Sequence, residues 1–365
     1  MKVTAGRLDR AYQMHREEYE TKALEVLRSG WYILGSEVRE FEREWANYIG
    51  AQHCVGLASG LDALWMSFRI LGIGEGDEVI VCANAYIACV MGISINGATP
   101  VFVEPDQYDN IDVEKIEEKV TKKTRAILAV HLYGQACDMT RIMSIAKRYN
   151  LRVVEDCAQS HGNHWKGQTV GTFGDIGCFS FYPSKGCGAF GDAGAIVTNR
   201  EEIADAFRVY RNYGSRVRYQ NEVVGTNSRL DELQAGLLRI KLKYLDEMNR
   251  ERNCIAQRYF DKLREGLIRL PQIRLGADST WHQYVIHVGD GKRDALAAYL
   301  KERDIGTIIH YPIPPHLSEA YRYLGYHKGD FPVAECYADE VLSLPMYSGM
   351  TEEEQDYVIE AINHF

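Results

Sequence analysis

The chain lacks any Cys-x-x-Cys pair, although it holds nine cysteines, at 54, 82, 89, 137, 157, 178, 187, 254 and 336. An odd number scattered through apolar segments favours reduced, buried thiols over a disulfide framework. Among its eleven histidines there is no His-Glu-x-x-His and no pair four apart, so the common zinc signatures are missing and no metal is expected. His161 and His164 do lie three apart, but within the turn-rich HGNHWKG stretch, where they read as surface or pocket residues. Positive charge is also short. Lys and Arg number 42 against 51 Asp and Glu, a net charge of −9. That balance argues against a general binder of nucleic acid or anionic membranes, so any anion must be held by local devices such as backbone N–H groups or single arginines. No apolar run approaches the roughly 20 residues of a membrane span. The first twenty residues are charged throughout and lack the apolar core of a signal peptide, so a cytoplasmic location is expected. Internal repeats and low-complexity tracts are absent.

At 365 residues and 46% hydrophobic, the chain can bury a large core, and its length suggests one large and one small domain. Helical periodicity runs over residues 16–48, interrupted by the apolar loop WYILG at 31–35. From residue 53, short apolar runs alternate with amphipathic stretches: HCVGLAS then GLDALWMSFRILGIG, EVIVCA then NAYIACVMGISING, TPVFVEP then a helix near 112–120. RAILAVHLYG, DMTRIMSIAKRYN and RVVED continue the alternation. This is the pattern of an α/β fold with a mostly parallel sheet sandwiched by helices. After about residue 230, apolar residues keep helical spacing over some 35 positions, enough for one long helix linking two domains. Strand-like HQYVIHV, helical RDALAAYLKERDIG, strand-like TIIHYPIPPHL and a final helix from Thr351 make a smaller α+β C-terminal domain. The expected division is 1–245 and 246–365.

The segment from Val153 to Asn199 carries the chemistry. VVED is an apolar run ending in Asp156, as where a buried strand delivers a carboxylate to its carboxyl edge. Some twenty residues on, CFSFYPSK places Ser180 and Lys185 at and beyond the end of another apolar run, with glycines 186, 188, 191 and 194 crowded around the lysine. A lysine after a strand ordinarily snorkels to solvent. This one has small neighbours and no charge partner nearby in sequence. One carboxylate, one hydroxyl and one lysine in a glycine-rich wall suit pyridoxal 5'-phosphate: its aldehyde takes the lysine, and its pyridine nitrogen takes the aspartate. Asp156 has a plainer reading as a helix cap, which the residue alone leaves open. Gln159 is a candidate to reach the ring's O3', with His161 close by.

Gly60 and Leu61, in ASGLDAL, open a helix whose free N–H groups and positive dipole end suit a phosphate, and Ser180 adds a hydroxyl. Tyr86 is a candidate to stack on the ring, core packing being nearly as good a reading. Asn227 and Arg229 precede the long helix, where a cap is the plain reading of Asn227. Candidates to face a substrate are Trp31, Tyr32, His161, Tyr182 and the residues His310, Tyr311 and His316 of a proline-stiffened loop, loop packing being equally open for the loop residues.

Taken together and in order, SGWYILGSEVREFEREWANYIG, ASGLDAL, VVEDCAQSHG, GDIGCFSFYPSKG, GDAGAIVTN, GTNSRLDELQAG and IHYPIPPHL resemble the DegT/DnrJ/EryC1/StrS family, sugar-nucleotide aminotransferases of the pyridoxal phosphate fold type I. The resemblance implies that Lys185 joins the cofactor aldehyde, that Asp156 binds the pyridine nitrogen and that Gln159 lies by O3'. It also implies that Gly60, Leu61 and Ser180 hold the phosphate, joined by Asn227 from the other subunit of a homodimer. Two departures stand out: Leu61 where the family often has threonine, and Gly186-Cys187 where Asn-Leu usually follows the lysine. GLDAL, ANAYIA and HYPIPPHL resemble the branch acting on 3-keto sugars carried on dTDP, with L-glutamate as the implied amino donor; UDP-linked and 4-keto sugars are the alternatives. A sugar dehydratase of the same fold has histidine where Lys185 stands, and a non-catalytic regulator would bind no cofactor. The intact Lys185, Asp156 and Ser180 set speaks against both.

Overall fold

The computed structural model describes residues 1–365. Three helices, α1 (Leu8–Met14), α2 (Arg16–Ser29) and α3 (Ser36–Ile49), precede a seven-stranded sheet. Its strands are β1 (His53–Leu57), β2 (Glu78–Cys82), β3 (Thr99–Val103), β4 (Thr124–Val130), β5 (Arg152–Asp156), β6 (Ile176–Ser180) and β7 (Gly194–Thr198), in the spatial order β1-β7-β6-β5-β4-β2-β3. Only β7 runs against its neighbours. The other six therefore bring their carboxyl ends to one edge. Strands such as TRAILAV and GAIVT are buried along nearly their whole length because helices cover both faces, the condition under which a parallel sheet reads as a continuous apolar run. Those helices include α4 (Gly60–Ile70), α5 (Ile87–Ser94), α6 (Met139–Tyr149) and α7 (Glu201–Tyr210).

The expected 35-residue helix is two helices, α8 (Glu232–Lys243) and α9 (Leu245–Lys262). Tyr244 leaves the helical conformation between them (φ −107°, ψ 3°), and its ring stacks on His15 at 3.5 Å between centroids. Residue 245, where the domain boundary is expected, is the first of α9. Beyond it, β8 (Ile268–Arg269), β9 (Tyr284–Val288) and β10 (Val341–Leu344) form a small antiparallel sheet, accompanied by α10 (Arg293–Glu302), α11 (Pro332–Glu340) and α12 (Glu352–Asn363). A second apolar core around Tyr259, Tyr284, Ile286, Leu342 and Val358 belongs to this part and also takes in Val3. Thr351 begins the last helix with a complete capping box on Glu354. Two expectations fail locally. Residues 112–120 form two 3-10 turns rather than a helix. TIIHYPIPPHL joins the sheet only by a bridge from Ile308 to Ser343, because Pro312, Pro314 and Pro315 have no N–H to give to a ladder.

Candidate active site

At the carboxyl edge of the sheet, β5 ends on Asp156, β6 ends on Ser180, β1 leads through Ser59 into α4, and β2 leads to Tyr86, the residue before α5. A cavity of roughly 490 Å³ opens there. Gly60, Leu61, Tyr86, Asp156, Ser180, Tyr182, Lys185, His310 and Tyr311 all border it. Segments far apart in the chain thus meet where open α/β sheets collect ligands.

Asp156 is buried and forms no ion pair; its Oδ1 accepts the Ala158 N–H at 3.0 Å and its Oδ2 the Cys89 thiol at 3.0 Å. Burial, reinforced by Asp156 itself, pushes the Cys89 thiol well up, so it stays a donor. Lys185 also lacks a salt-bridge partner. Desolvation pulls its amine below the ordinary lysine value, with Asp156 pulling the other way. The loop that carries it folds back on itself: Phe181 N–H donates to Ala193 O at 2.8 Å, Ala189 N–H to Phe181 O at 2.7 Å, and Lys185 N–H to Tyr182 O at 2.8 Å. That fold requires Gly188, where a Cβ would lie 2.3 Å from Pro183 O.

The start of α4 makes an anion cradle beside Ser180. Ser59 caps the helix by accepting the Asp62 N–H at 3.1 Å, while the N–H groups of Gly60 and Leu61 have no acceptor within the protein. A Cβ on Gly60 would stand 2.4 Å from Ser180 Cβ. Glycine is thus what lets the helix end and the hydroxyl close on one another. Tyr86, 45% exposed, presents its ring to the cavity and lies 4.9 Å from the Tyr311 ring. Gln159 sits behind Tyr311, donating to its hydroxyl at 3.0 Å while accepting the Tyr133 N–H at 2.6 Å. His310 is tied to Ser343 Oγ at 2.8 Å, and burial, helped by Lys185, takes its pKa down to about 4.

Four expected residues lie elsewhere. His316 is buried against Phe102 and Phe331 with Nε2 on Glu335 at 3.1 Å, so it packs the protein rather than facing a substrate. Trp31 and Tyr32 are 64% and 51% exposed and do not border the cavity of their own chain. Asn227 is also outside it, donating to Tyr213 OH at 3.0 Å. Other residues at the cavity were not singled out from the sequence: Cys89 behind Asp156, and Asp192, His282 and Gln283 on the walls.

His161 is a further correction, being enclosed by Trp45, Phe179 and Phe181 with Nδ1 accepting the Cys187 N–H at 3.0 Å. It holds the lysine loop and does not border the cavity. Burial above all, with Lys185 adding to it, lowers its pKa to about 3. A folded-state pKa below the unfolded value of about 6.5 favours the neutral ring, so this stabilisation is complete above that pH and is lost as pH falls. Between pH 6.5 and 5 the loss amounts to about 2 kcal/mol at ~1.4 kcal/mol per unit. Urea midpoints should therefore fall between pH 7 and pH 5, and His161→Gln should flatten that slope by a similar amount. An unchanged slope in the variant would contradict the assignment.

With this geometry in place, comparison with known proteins is informative. Residues 13–363 match the DegT/DnrJ/EryC1/StrS aminotransferase family. The chain is 51% identical to the dTDP-3-amino-3,6-dideoxy-alpha-D-galactopyranose transaminase of Aneurinibacillus thermoaerophilus, over 96% of each protein. It is also similar to the crystal structure of DesV from S. venezuelae in complex with a ketimine intermediate (TM-score 0.97, 44% identity, covering 100% of this chain and 98% of that one). NtdA from Bacillus subtilis with bound cofactor PMP is similar at TM-score 0.92 and 33% identity, covering 98% of this chain and 83% of that one. A match spanning almost every element just described, and including the walls of the cavity, establishes that the chain belongs to the DegT/DnrJ/EryC1/StrS aminotransferase family.

Proposed function

We propose that this protein is a pyridoxal 5'-phosphate-dependent aminotransferase that moves an amino group from L-glutamate to a nucleotide-linked keto sugar, a dTDP-3-keto-6-deoxyhexose. One observation carries the reading: Lys185, desolvated and without a carboxylate partner, shares a cavity with Asp156 and with the amide cradle of α4. The residues present fit the cofactor. Gly60 and Leu61 N–H groups and the Ser180 hydroxyl would hold its phosphate, Asp156 its ring nitrogen, and Tyr86 one ring face. Gln159 supports the site through Tyr311. Bound there, pyridoxal phosphate supplies an electron sink for a carbanion formed next to it. Lys185 Nζ would take the proton from the donor's α-carbon in one half-reaction and return a proton to the sugar carbon that receives the amine in the other. An amine held below its ordinary pKa by burial is suited to accepting that proton near neutrality.

The active unit is a homodimer in which Trp31, Tyr32 and Asn227 complete the partner's cavity. In support, these residues stand outside their own cavity, and the two-stranded ribbon of Ser215–Val217 and Gln220–Asn221, with the segment after it, leaves Val217, Tyr219, Val223 and Val224 exposed. An apolar surface of this kind suits a subunit contact. Nine cysteines without a disulfide suit a reducing compartment, the cytoplasm. No helix is long and apolar enough to cross a membrane.

A panel of dTDP- and UDP-linked 3-keto and 4-keto sugars, each incubated with holoenzyme and glutamate, tests the reading. NMR should place the new amine at C3 of a dTDP-linked 6-deoxyhexose. Turnover of UDP-linked or 4-keto sugars instead would replace the substrate, and no amination of any keto sugar would overturn the function.

A further inference from the structure

A second cavity lies on the other side of Lys185. It encloses about 150 Å³ between the Pro183–Gly186 loop, the start of α1, helices α8 and α9, and the chain after β10. Four of the residues bordering it are cations, Arg7, Lys185, Lys241 and Arg252, and none is acidic. In a chain of net charge −9 this is a local inversion. The larger cavity, by contrast, sets Asp156 and Asp192 against Lys185 alone.

Arg7 is matched by Asp9 at 2.6 Å. Lys241 and Arg252 are matched by no carboxylate, although they are only 7% and 8% exposed. Lys241 Nζ donates to Gly188 O at 2.9 Å. Arg252 Nη1 donates to Trp281 O at 3.1 Å and to His282 O at 3.3 Å, leaving its Nε without a partner. His282 Nδ1 and Gln283 Oε1, from the same wall, are also unpartnered. Glu251, next to Arg252 in sequence, borders a different recess and forms no ion pair with it. Two buried cations with no carboxylate in contact carry a desolvation cost that falls when an anion enters. Desolvation acts on both: it lowers Lys241 and takes Arg252 down to about 10.

We propose that this cavity is the subsite for the amino donor's carboxylate, with Lys241 and Arg252 binding it while the donor's amine is presented beside Lys185. The proposal rests on the aminotransferase reading. Ser184, Lys185, His282, Gln283 and His310 border both cavities, so the two lie back to back across the Lys185 side chain. The volume suits an amino acid and is too small for a nucleotide sugar, which the larger cavity is left to receive. A planar carboxylate also matches the donor geometry of a guanidinium.

The probe is glutarate, a dicarboxylate with no amine to react, titrated into the dimeric holoenzyme by calorimetry. Lys241→Gln keeps an N–H for Gly188 O but removes the charge, and Arg252→Gln is the second variant. Each should weaken glutarate at least tenfold and raise, by a similar factor, the glutamate concentration that half-converts the cofactor in a single-turnover absorbance assay. Affinity for dTDP should stay unchanged. Unchanged glutarate affinity in a folded variant overturns the subsite, as does a loss of dTDP binding in step with it. The two readings fail separately: sugar amination with glutarate affinity indifferent to both substitutions sinks only the subsite, and charge-dependent glutarate binding without amination of any sugar sinks only the function.

Discussion

Replacing Lys185 by alanine should abolish steady-state transamination, with a loss of about 10³- to 10⁴-fold or more, while leaving the fold intact. Proton transfer by a positioned base contributes about 10²- to 10⁴-fold by itself, and on the proposed assignment the same amine also holds the cofactor. The fold should survive because Lys185 takes part in no ion pair; only its backbone N–H, bonded to Tyr182 O, belongs to the loop's structure. Removing a desolvated amine should even raise the unfolding temperature slightly. Lys185→Arg separates two roles: arginine keeps a cation in the cavity but cannot give up its proton near neutrality, so it should be as inactive as alanine. Borohydride treatment of the holoenzyme followed by peptide mapping supplies a readout independent of turnover. The wild type should carry a reduced adduct on the peptide containing Lys185, and both variants none. Activity within tenfold of wild type in Lys185→Ala would refute the assignment.

How much of this was legible in the sequence depended on whether the signal was local. VVED and CFSFYPSK mark buried strands with polar side chains at their ends, because a strand buried on both faces must be continuously apolar and its first polar residue marks the edge. ASGLDAL announced its helix start because a serine cap and a glycine are recognisable within four residues. Direction was not legible. His161 and His316 stand among turns and prolines much as His310 does, yet two of them point into aromatic packing and only His310 faces the cavity. Long-range pairing was invisible for the same reason. Cys89 looks like any apolar helix residue until β2 and β5 set α5 beside Asp156. The cations of the smaller cavity come from positions 7, 185, 241 and 252, and only the fold places them together. At the break, Tyr244 stacks on His15, more than two hundred residues earlier, a contact that the local helical pattern does not reveal.

Asp156→Asn should cost about 10²- to 10³-fold in turnover, for a reason visible in its hydrogen bonds. The carboxylate has two oxygens, and each already accepts from a donor, Ala158 N–H on one and the Cys89 thiol on the other. An amide offers only one such oxygen. In either orientation, asparagine turns its NH₂ toward one of these donors, so the side chain must rotate or leave a buried donor unpaired, at about 1–3 kcal/mol. The larger loss is of charge. On the proposed placement a full negative charge opposite the ring nitrogen would keep that nitrogen protonated, and a unit-charge pair about 3–4 Å apart at an effective dielectric of about 20 is worth roughly 4–5 kcal/mol before the remaining solvation is counted. Part of that is felt only as the reaction proceeds, which is the part that appears in kcat. The expected pattern is therefore a lower kcat with the cofactor still retained on gel filtration, together with a shifted cofactor absorbance at neutral pH. Cys89→Ser, which preserves a donor to the same oxygen, should leave both spectrum and turnover near wild type, whereas Cys89→Ala should move the spectrum part of the way toward that of Asp156→Asn. An Asp156→Asn enzyme with more than a tenth of wild-type turnover and an unaltered spectrum would show that this carboxylate faces something other than the ring nitrogen.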